Sequence, residues 1–384
     1  MKQKIVVITG TRAEYGILKP LLKEINKSQK TELHLIVTGI HLIKSYGLTI
    51  NEIQKEFPVF EKVKMYDEKI LESKYHTHAL SKGIKNFSDI FLKIKPQLVV
   101  VFGDRLEVLA ASLASAILGI HLAHIQGGDK TDSGHIDENI RHAISQFANI
   151  HFTATKNHTN RLIQMGQEPH TIFEVGSLGI DSIVEQKFIQ KKKLFGELKL
   201  KNDKTIVCLF HPTHLEFKTI GIQMNEILKS LAETGIQAVI IYPNNDKGSK
   251  KIISTIQKFS NNPNFKIFKN IPHEKFLSLL NYSDLLIGNS SSGMIESASL
   301  KIPVINIGTR NTGRIHAKNV IFAKPKKSEI IKFVKFALED KKFRKQVSKS
   351  KNPYGDGNTS KKILKIISSI KLDQKLLMKK TTIR

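Results

Sequence analysis

The sequence predicts an α/β protein of two domains, each a parallel β-sheet covered on both faces by helices, and three observations carry that expectation. The chain has 384 residues, 40% of them hydrophobic, which is more than one ordinary core accommodates. Short β-branched apolar runs bounded by turn residues alternate with stretches of helical spacing, and the alternation happens twice. The runs are mostly apolar and do not alternate strictly with polar residues, as expected of strands buried on both faces.

In order, the first series is IVVI at 5 to 8, LHLIV at 33 to 37, LVVVF at 98 to 102, IHLAHI at 120 to 125 and the segment 150 to 154. A second begins after residue 200, with IVCLF at 206 to 210, AVIIY at 238 to 242, FKIF at 265 to 268, DLLIG at 284 to 288 and PVINI at 303 to 307. The lysine-rich segment 186 to 204 lies between them and is the natural linker. No repeat or low-complexity tract interrupts the pattern, and the last dozen residues are expected to fray.

Composition narrows the function classes. Met1-Lys2-Gln3-Lys4 runs straight into a strand, so no signal peptide is expected, and no segment approaches the roughly 18 apolar residues of a membrane span. The single cysteine, Cys208, forms no intramolecular disulfide and suits a reducing cytoplasm, packing as a small apolar residue. A formal charge of +27 invites a nucleic-acid reading. Against it, the lysines are spread along the helical segments, with modest clusters at 191 to 193 and 324 to 327 and no aromatic-interleaved basic stripe, so no nucleic acid is expected as partner. Arginine is more selective: five of eight (Arg12, Arg105, Arg141, Arg310 and Arg314) fall in short loop-like segments, where a planar guanidinium suits phosphate or carboxylate geometry.

Ligands of open parallel sheets sit beyond the carboxyl ends of the strands, so the loops after each strand hold the candidates. ITGTRAEYG, residues 8 to 16, sets Arg12 where a helix begins, although it lacks dinucleotide glycine spacing and the P-loop lysine. IGNSSSGMIESAS, residues 287 to 299, is expected to open a helix with Ser290, Ser291 and Ser292 at its N-terminus, a phosphate or diphosphate site. Glu296, one turn further, suits the vicinal hydroxyls of a ribose. VFGDRLE ends a buried strand with Asp104 and Arg105, and LFHPTH places His211 at a strand terminus. HIQGGDKTDSGHIDENIRH, residues 124 to 142, adds Asp129, Asp137, Glu138, Arg141 and His142; a helix over IDENIRHAI puts Asp137 and Arg141 on one face. Two facing Rossmann-like domains with anion donors on both suggest a cleft for a nucleoside diphosphate sugar. The acids and histidines show no ligand spacing, so no metal is implied.

ITGTRAEYG, GIHLIKSYG, GDRLEVLAA, HIQGGD with IDENIRHAI, FHPTHLE, YPNNDKGSKKI, GNSSSGMIE, INIGTRNTGR and NPYGDGNTSKKI stand in the order and spacing of one family. From residue 4 to about 370 the chain resembles the hydrolysing UDP-N-acetylglucosamine 2-epimerases of sialic-acid biosynthesis. GDRLE is of the hydrolysing type, where non-hydrolysing cousins carry threonines. The resemblance implies two Rossmann-like domains of the GT-B kind, at 1 to 180 and 181 to 358. A C-terminal helix near 358 to 370, within a segment 359 to 384, would pack back on the first. It also implies a cytoplasmic, cofactor-free enzyme without membrane insertion, and a homo-oligomer, dimer or tetramer, is expected.

The implied reaction removes the C2 proton with loss of UDP from C1, then adds water to the glycal with inversion at C2, giving N-acetylmannosamine. Such chemistry calls for carboxylates to move the proton and cationic groups on the departing diphosphate. By motif, Asp104 and Asp137 match carboxylates of elimination and hydration, and His211 a catalytic-site histidine. Arg12, Arg105, Ser290, Ser291, Glu296 and Arg310 match positions that hold the nucleotide, and His41 and Arg141 match residues of the sugar pocket, to which Asp129 and Glu138 are added. Gln126 departs from the pattern, because the N-acetylglucosamine enzymes typically carry Glu in this segment. An amide is no general base, which leaves Asp104, Asp137 or Asp129 for that role. Relatives acting on N,N'-diacetylbacillosamine nucleotides, UDP- or GDP-linked, vary around the 126 to 137 loop and are the alternative. A GT-B glycosyltransferase, which needs an acceptor, and a non-catalytic nucleotide-sugar sensor would share only the diphosphate clamp.

Overall fold

Continuous apolar strands form the centre of each half of the chain. In the computed structural model, which describes residues 2–66, 75–130, 136–213, 216–243 and 248–379, Met1–Asp129, Ile136–Glu185 and Tyr354–Arg384 make one unit and Gln186–Pro353 the other. The first runs β1 (Gln3–Thr9), α1 (Arg12–Lys27), β2 (Thr31–Thr38), α2 (Ile50–Ile53), β3 (Val59–Val63), α3 (His76–Ile94), β4 (Leu98–Phe102), α4 (Leu106–Ile117), β5 (His121–Ile125), α5 (Ile136–Phe147), β6 (Ile150–Thr153), α6 (Lys156–Gln164), β7 (Ile172–Glu174) and α7 (Leu178–Glu185). Its strands pair in parallel in the order β3-β2-β1-β4-β5-β6-β7.

Alternate residues of β1 bury on opposite faces, because side chains in a strand point to the two sides of a sheet in turn. Ile5 and Val7 pack with Leu18, Leu21 and Leu22 of α1, and Val6 and Ile8 with Phe87 and Phe91 of α3. Each such side chain contributes about 1.5–3 kcal/mol of burial.

The second unit runs α8 (Lys191–Glu197), β8 (Thr205–Leu209), α9 (Ile220–Thr234), β9 (Gln237–Ile241), α10 (Ser249–Gln257), β10 (Phe265–Phe268), α11 (His273–Tyr282), β11 (Leu285–Gly288), β12 (Val304–Ile307), β13 (Val320–Ala323), α12 (Lys327–Glu339) and α13 (Lys341–Ser348). Its parallel order is β10-β9-β8-β11-β12-β13. Cys208 is buried in this core, and burial pushes its thiol up to about 12, so it is inert packing. Both sheets are the parallel α/β layers that the sequence predicts.

Five elements depart from the sequence reading. Strands β3 and β7 carry no continuous apolar run, and β13 is a run of only four apolar residues outside the two series: each lies at a sheet edge, and each is half open to solvent. The lysine-rich segment expected to link the domains is packed structure in the second unit. Leu194 and Phe195 are buried, Gln186 donates to the Glu274 carbonyl, and Glu197 pairs with Lys275 at 2.8 Å. The helix expected after DLLIG is a single 3-10 turn, Ser291–Gly293, followed by further turns. Three serines and a glycine are weak helix formers, and the Ser297 hydroxyl donates back to the Gly293 carbonyl.

After the second unit the chain returns to the first as α14 (Thr359–Ile367) and α15 (Gln374–Leu377). Asp181 accepts from the backbone N–H groups of Thr359 and Ser360 at 2.9 and 2.6 Å, capping α14, whose Ile363 and Ile367 complete the core against α1. No helix of the described residues is long and apolar enough to cross a membrane.

Candidate functional site

In each sheet the connections reverse direction once, between β1 and β4 in the first unit and between β8 and β11 in the second. The carboxyl ends of strands at such a switch point diverge and leave room for a ligand. The loops after those four strands carry Arg12, Asp104 and Arg105, His211, and Ser290 and Ser291.

After β1, Thr11 caps α1, its hydroxyl accepting from the Glu14 N–H, while Glu14 Oε2 accepts from the Gly10 N–H at 2.9 Å. This reciprocal arrangement uses up backbone donors that an anion would otherwise meet. Arg12 pairs with Glu52 at 3.0 Å. His41, wholly buried after β2, sits between the hydroxyls of Thr9 and Thr49 at 3.1 and 2.6 Å, and burial lowers it to about 4. It is a fixed, neutral strut at this edge of the sheet.

After β4, Gly103 turns the chain with φ +77°, and Asp104 pairs with Arg141 of α5. The same guanidinium, its side chain 6% exposed, donates to Glu138 at 2.9 Å and to the Asp129 carbonyl at 3.3 Å. Glu138 also meets His142 at 3.2 Å. Arg105 Nε lies 3.4 Å from the buried Glu107 carboxylate, whose negative charge, with a smaller share from Asp137, keeps the guanidinium charged. Thus Arg141 gathers the Asp104 and Glu138 carboxylates and the Asp129 carbonyl, and Arg105 lies against Glu107, an arrangement that joins the loop after β4, the start of α4, the Asp129 turn and α5. Sequence spacing suggested Asp137 as the companion of Arg141, yet the partners seen for Arg141 include Glu138 and Asp104.

The β5–α5 connection starts with a strained turn: Gln126 has φ +71° and Gly128 +76°. A Cβ at Gly128 would come within 2.4 Å of the His158 carbonyl, so the backbone approach admits only glycine. Asp129 is 2% exposed, with Oδ1 3.4 Å from His158 Nε2, and Arg161 donates to the Gly128 carbonyl. Residues 131–135 of this connection, His214 and Leu215 of FHPTHLE, and 244–247 of YPNNDKGSKKI lie outside the described residues.

Glu14, Glu107, His124 and His158 carried no local signal in the sequence; only the fold brings them here. Glu14 is buried, and desolvation, with the nearby Glu107 charge, raises it to about 8. The unfolded chain loses that proton near 4.5 while the folded chain keeps it. Stability from this group is therefore complete below the unfolded value and is lost as pH rises towards 8. Glu14→Gln, which keeps the Gly10 bond and cannot ionise, is expected to gain on the wild type in melting temperature between pH 5 and 8.5. A difference constant with pH would show that Glu14 does not titrate there.

In the second unit Asn289 joins two loops, accepting from the His211 N–H at 2.6 Å and donating to its carbonyl at 2.9 Å. Gly288 makes this possible: at φ +135° a Cβ would lie 2.1 Å from the Leu209 carbonyl. Arg310 donates to the Asn289 carbonyl at 3.0 Å, and Asn311 to the Asn289 and Ser290 carbonyls. Ser290 accepts from the Ser292 N–H, an ordinary cap that leaves the Ser291 hydroxyl beside it. Glu296 is 7% exposed, with Oε2 unpartnered, and burial raises it to about 6. A buried carboxylate oxygen without a donor suits a hydroxyl-bearing ligand.

The comparisons with known proteins agree with one another. A family model described as UDP-N-acetylglucosamine 2-epimerase matches residues 23–368. A UDP-N,N'-diacetylbacillosamine 2-epimerase (hydrolyzing) of Legionella pneumophila is 34% identical over 380 residues, covering 99% of both chains. Polysialic acid biosynthesis protein P7 of Escherichia coli is 35% identical over 372 residues, covering 95% of this chain and 93% of its own. Among solved structures, UDP-GlcNAc 2-epimerase from Neisseria meningitidis, bound to UDP-GlcNAc, superposes with a TM-score of 0.81 at 22% identity, covering 95% of this chain and 99% of that one. That likeness shows the shared two-domain fold.

Proposed function

This chain belongs to the UDP-N-acetylglucosamine 2-epimerase family, and on that premise we propose that it performs hydrolysing 2-epimerisation of a UDP-linked 2-acetamido sugar, with UDP-N-acetylglucosamine as the leading substrate. A base takes the C2 proton as the C1–O bond to UDP breaks. Water then adds its oxygen at C1 while a proton returns to the opposite face of C2, giving N-acetylmannosamine. The observation that carries this reading is the gathering of Asp104, Glu138 and Asp129 around Arg141, with Asp137 one residue away on α5.

In this reading Asp104 and Asp137 exchange the proton with C2, and His211 assists at the reacting carbons. Arg12, Arg105, Arg310, Ser290 and Ser291 hold the diphosphate, and Glu296 accepts from the ribose hydroxyls. Gln126 and Glu138 orient the sugar, while His41, Asp129 and Arg141 fix the groups that touch it. Buried donors and charges aimed at developing negative charge supply most of the stabilisation in such a site. A second reading, the same reaction on UDP- or GDP-linked N,N'-diacetylbacillosamine, is favoured by Gln126, which stands where the N-acetylglucosamine enzymes typically have Glu.

Turnover in heavy water tests the reaction. One solvent deuterium at C2 of a manno-configured product is expected; a gluco-configured product without C2 deuterium would sink the epimerase reading. Nucleotide release without acceptor from UDP- and GDP-linked N-acetylglucosamine and diacetylbacillosamine ranks the two substrate readings, and release that demands an acceptor points to a glycosyltransferase. For the diphosphate, Ser290→Ala combined with Ser291→Ala is expected to weaken UDP and substrate binding together, by about 1.5–3 kcal/mol per lost bond to a charged group. Wild-type UDP affinity in calorimetry would remove the serines from the clamp.

A further inference from the structure

We propose that His124 is a positioning residue for Asp104, tying the loop that carries Asp104 to the helix that carries Arg141. The imidazole is wholly buried. Its Nε2 lies 2.8 Å from the Gly103 carbonyl and its Nδ1 3.0 Å from the Ser145 hydroxyl. A carbonyl can only accept, so Nε2 carries the hydrogen and Nδ1 accepts from Ser145, which fixes one tautomer. Gly103 directly precedes Asp104, and Ser145 is one helical turn beyond Arg141. His124 and the Asp104–Arg141 pair are therefore two rungs joining the same two elements, one deep in the protein and one at its reactive edge.

Two neighbouring features fit this bridge. A Cβ at Gly127 would come within 2.9 Å of Ser145 Oγ and 3.0 Å of His124 Nδ1, so the first glycine of the QGG turn makes room for it. Beyond Ser145, Lys379 Nζ donates to the Ser145 carbonyl at 3.2 Å, to the Gln146 carbonyl and to Gln167 Oε1 at 2.8 Å. A cation there satisfies the open carbonyls at the end of α5 and suits the negative end of the helix dipole. Burial, aided by Arg141, His142 and Lys379, lowers His124 to about 4. The ring stays neutral through the working range of pH and holds position without carrying a proton.

This inference rests on the reading of Asp104 as a proton-transfer group, and the wild type assayed alongside keeps the two separable. His124→Leu is expected to lower kcat by about 10²-fold, the scale of a displacement of roughly 1 Å at a reacting group, with UDP affinity unchanged. His124→Gln places an amide N–H near the position of Nε2 and is expected to recover about tenfold of that loss, with pH–rate limbs that coincide with those of the wild type. Should the Leu variant not fold, Ser145→Ala carries the test, with a kcat loss in the same direction and intact UDP affinity. Wild-type kcat in the Leu or Ala variant, a displaced pH limb in the Gln variant, or kcat and UDP affinity falling together would each overturn the proposal. If the wild type itself turns over no nucleotide sugar, the functional reading fails; nitrogen NMR of His124 then decides the bridge, an Nε2–H tautomer supporting it and an Nδ1–H tautomer refuting it.

Discussion

Replacing Asp104 or Asp137 by Asn is expected to cut turnover by about 10² to 10⁴-fold, the usual contribution of a positioned acid or base, while UDP affinity stays close to that of the wild type. The two variants should differ in detail. Asp104 meets Arg141, whereas Asp137 lies among the carboxylates that hold Arg105. An amide at 104 keeps an oxygen for the guanidinium but cannot take up the C2 proton, so its loss should appear in kcat. An amide at 137 also removes a negative charge that acts on Arg105, a proposed diphosphate ligand that stays against Glu107, so some of its loss should appear in KM. Steady-state kinetics with UDP inhibition on each variant reads this split. Full activity in both would move proton transfer to another group, with Glu107 and Asp129 the next carboxylates to examine.

The sequence was legible where a residue's neighbours in the chain are also its neighbours in space. Buried central strands such as LVVVF announce themselves because both faces are covered, so every position is apolar. The edge strands VFEKV and IFE do not, since solvent on one side permits charged residues, and VIFA is an apolar run of only four residues. Loops at the carboxyl ends of strands were found for the same local reason: Asp104, Arg105, Ser290 and Ser291 each stand next to a recognisable strand.

What the sequence withheld is long-range. Arg141 meets Asp104 across 37 positions, His124 reaches Ser145 across 21, and Lys379 reaches Ser145 across 234. No spacing rule on one helix could have pointed to Asp104 as a partner of Arg141. The serine loop erred in the other direction. Its pattern resembled a helix N-terminus, but the weak helix propensity of Ser and Gly left a 3-10 turn, so its donors are hydroxyls and a few N–H groups without a long dipole behind them.

Arg141→Met is expected to be the most damaging single change in the first unit. The methionine matches the length of the arginine stem but leaves Asp104 and Glu138 without their shared cation and removes the Arg141 bond to the Asp129 carbonyl. Breaking a largely buried charge pair by removing one partner costs about 3–5 kcal/mol, much of it the penalty of the unpaired charge left behind. In a unit of this size that corresponds to a fall in melting temperature of roughly 10 °C, with turnover lost as well. Arg141→Lys separates the two consequences. A lysine keeps the positive charge, so most of the stability should return, but a single ammonium on a flexible stem cannot reproduce the planar fork that reaches Asp104 and Glu138 at once. Its kcat should therefore remain well below that of the wild type even when its melting curve is nearly restored. If the lysine variant turns over like the wild type, charge alone suffices at this position and the bridging geometry of the guanidinium plays no part in catalysis.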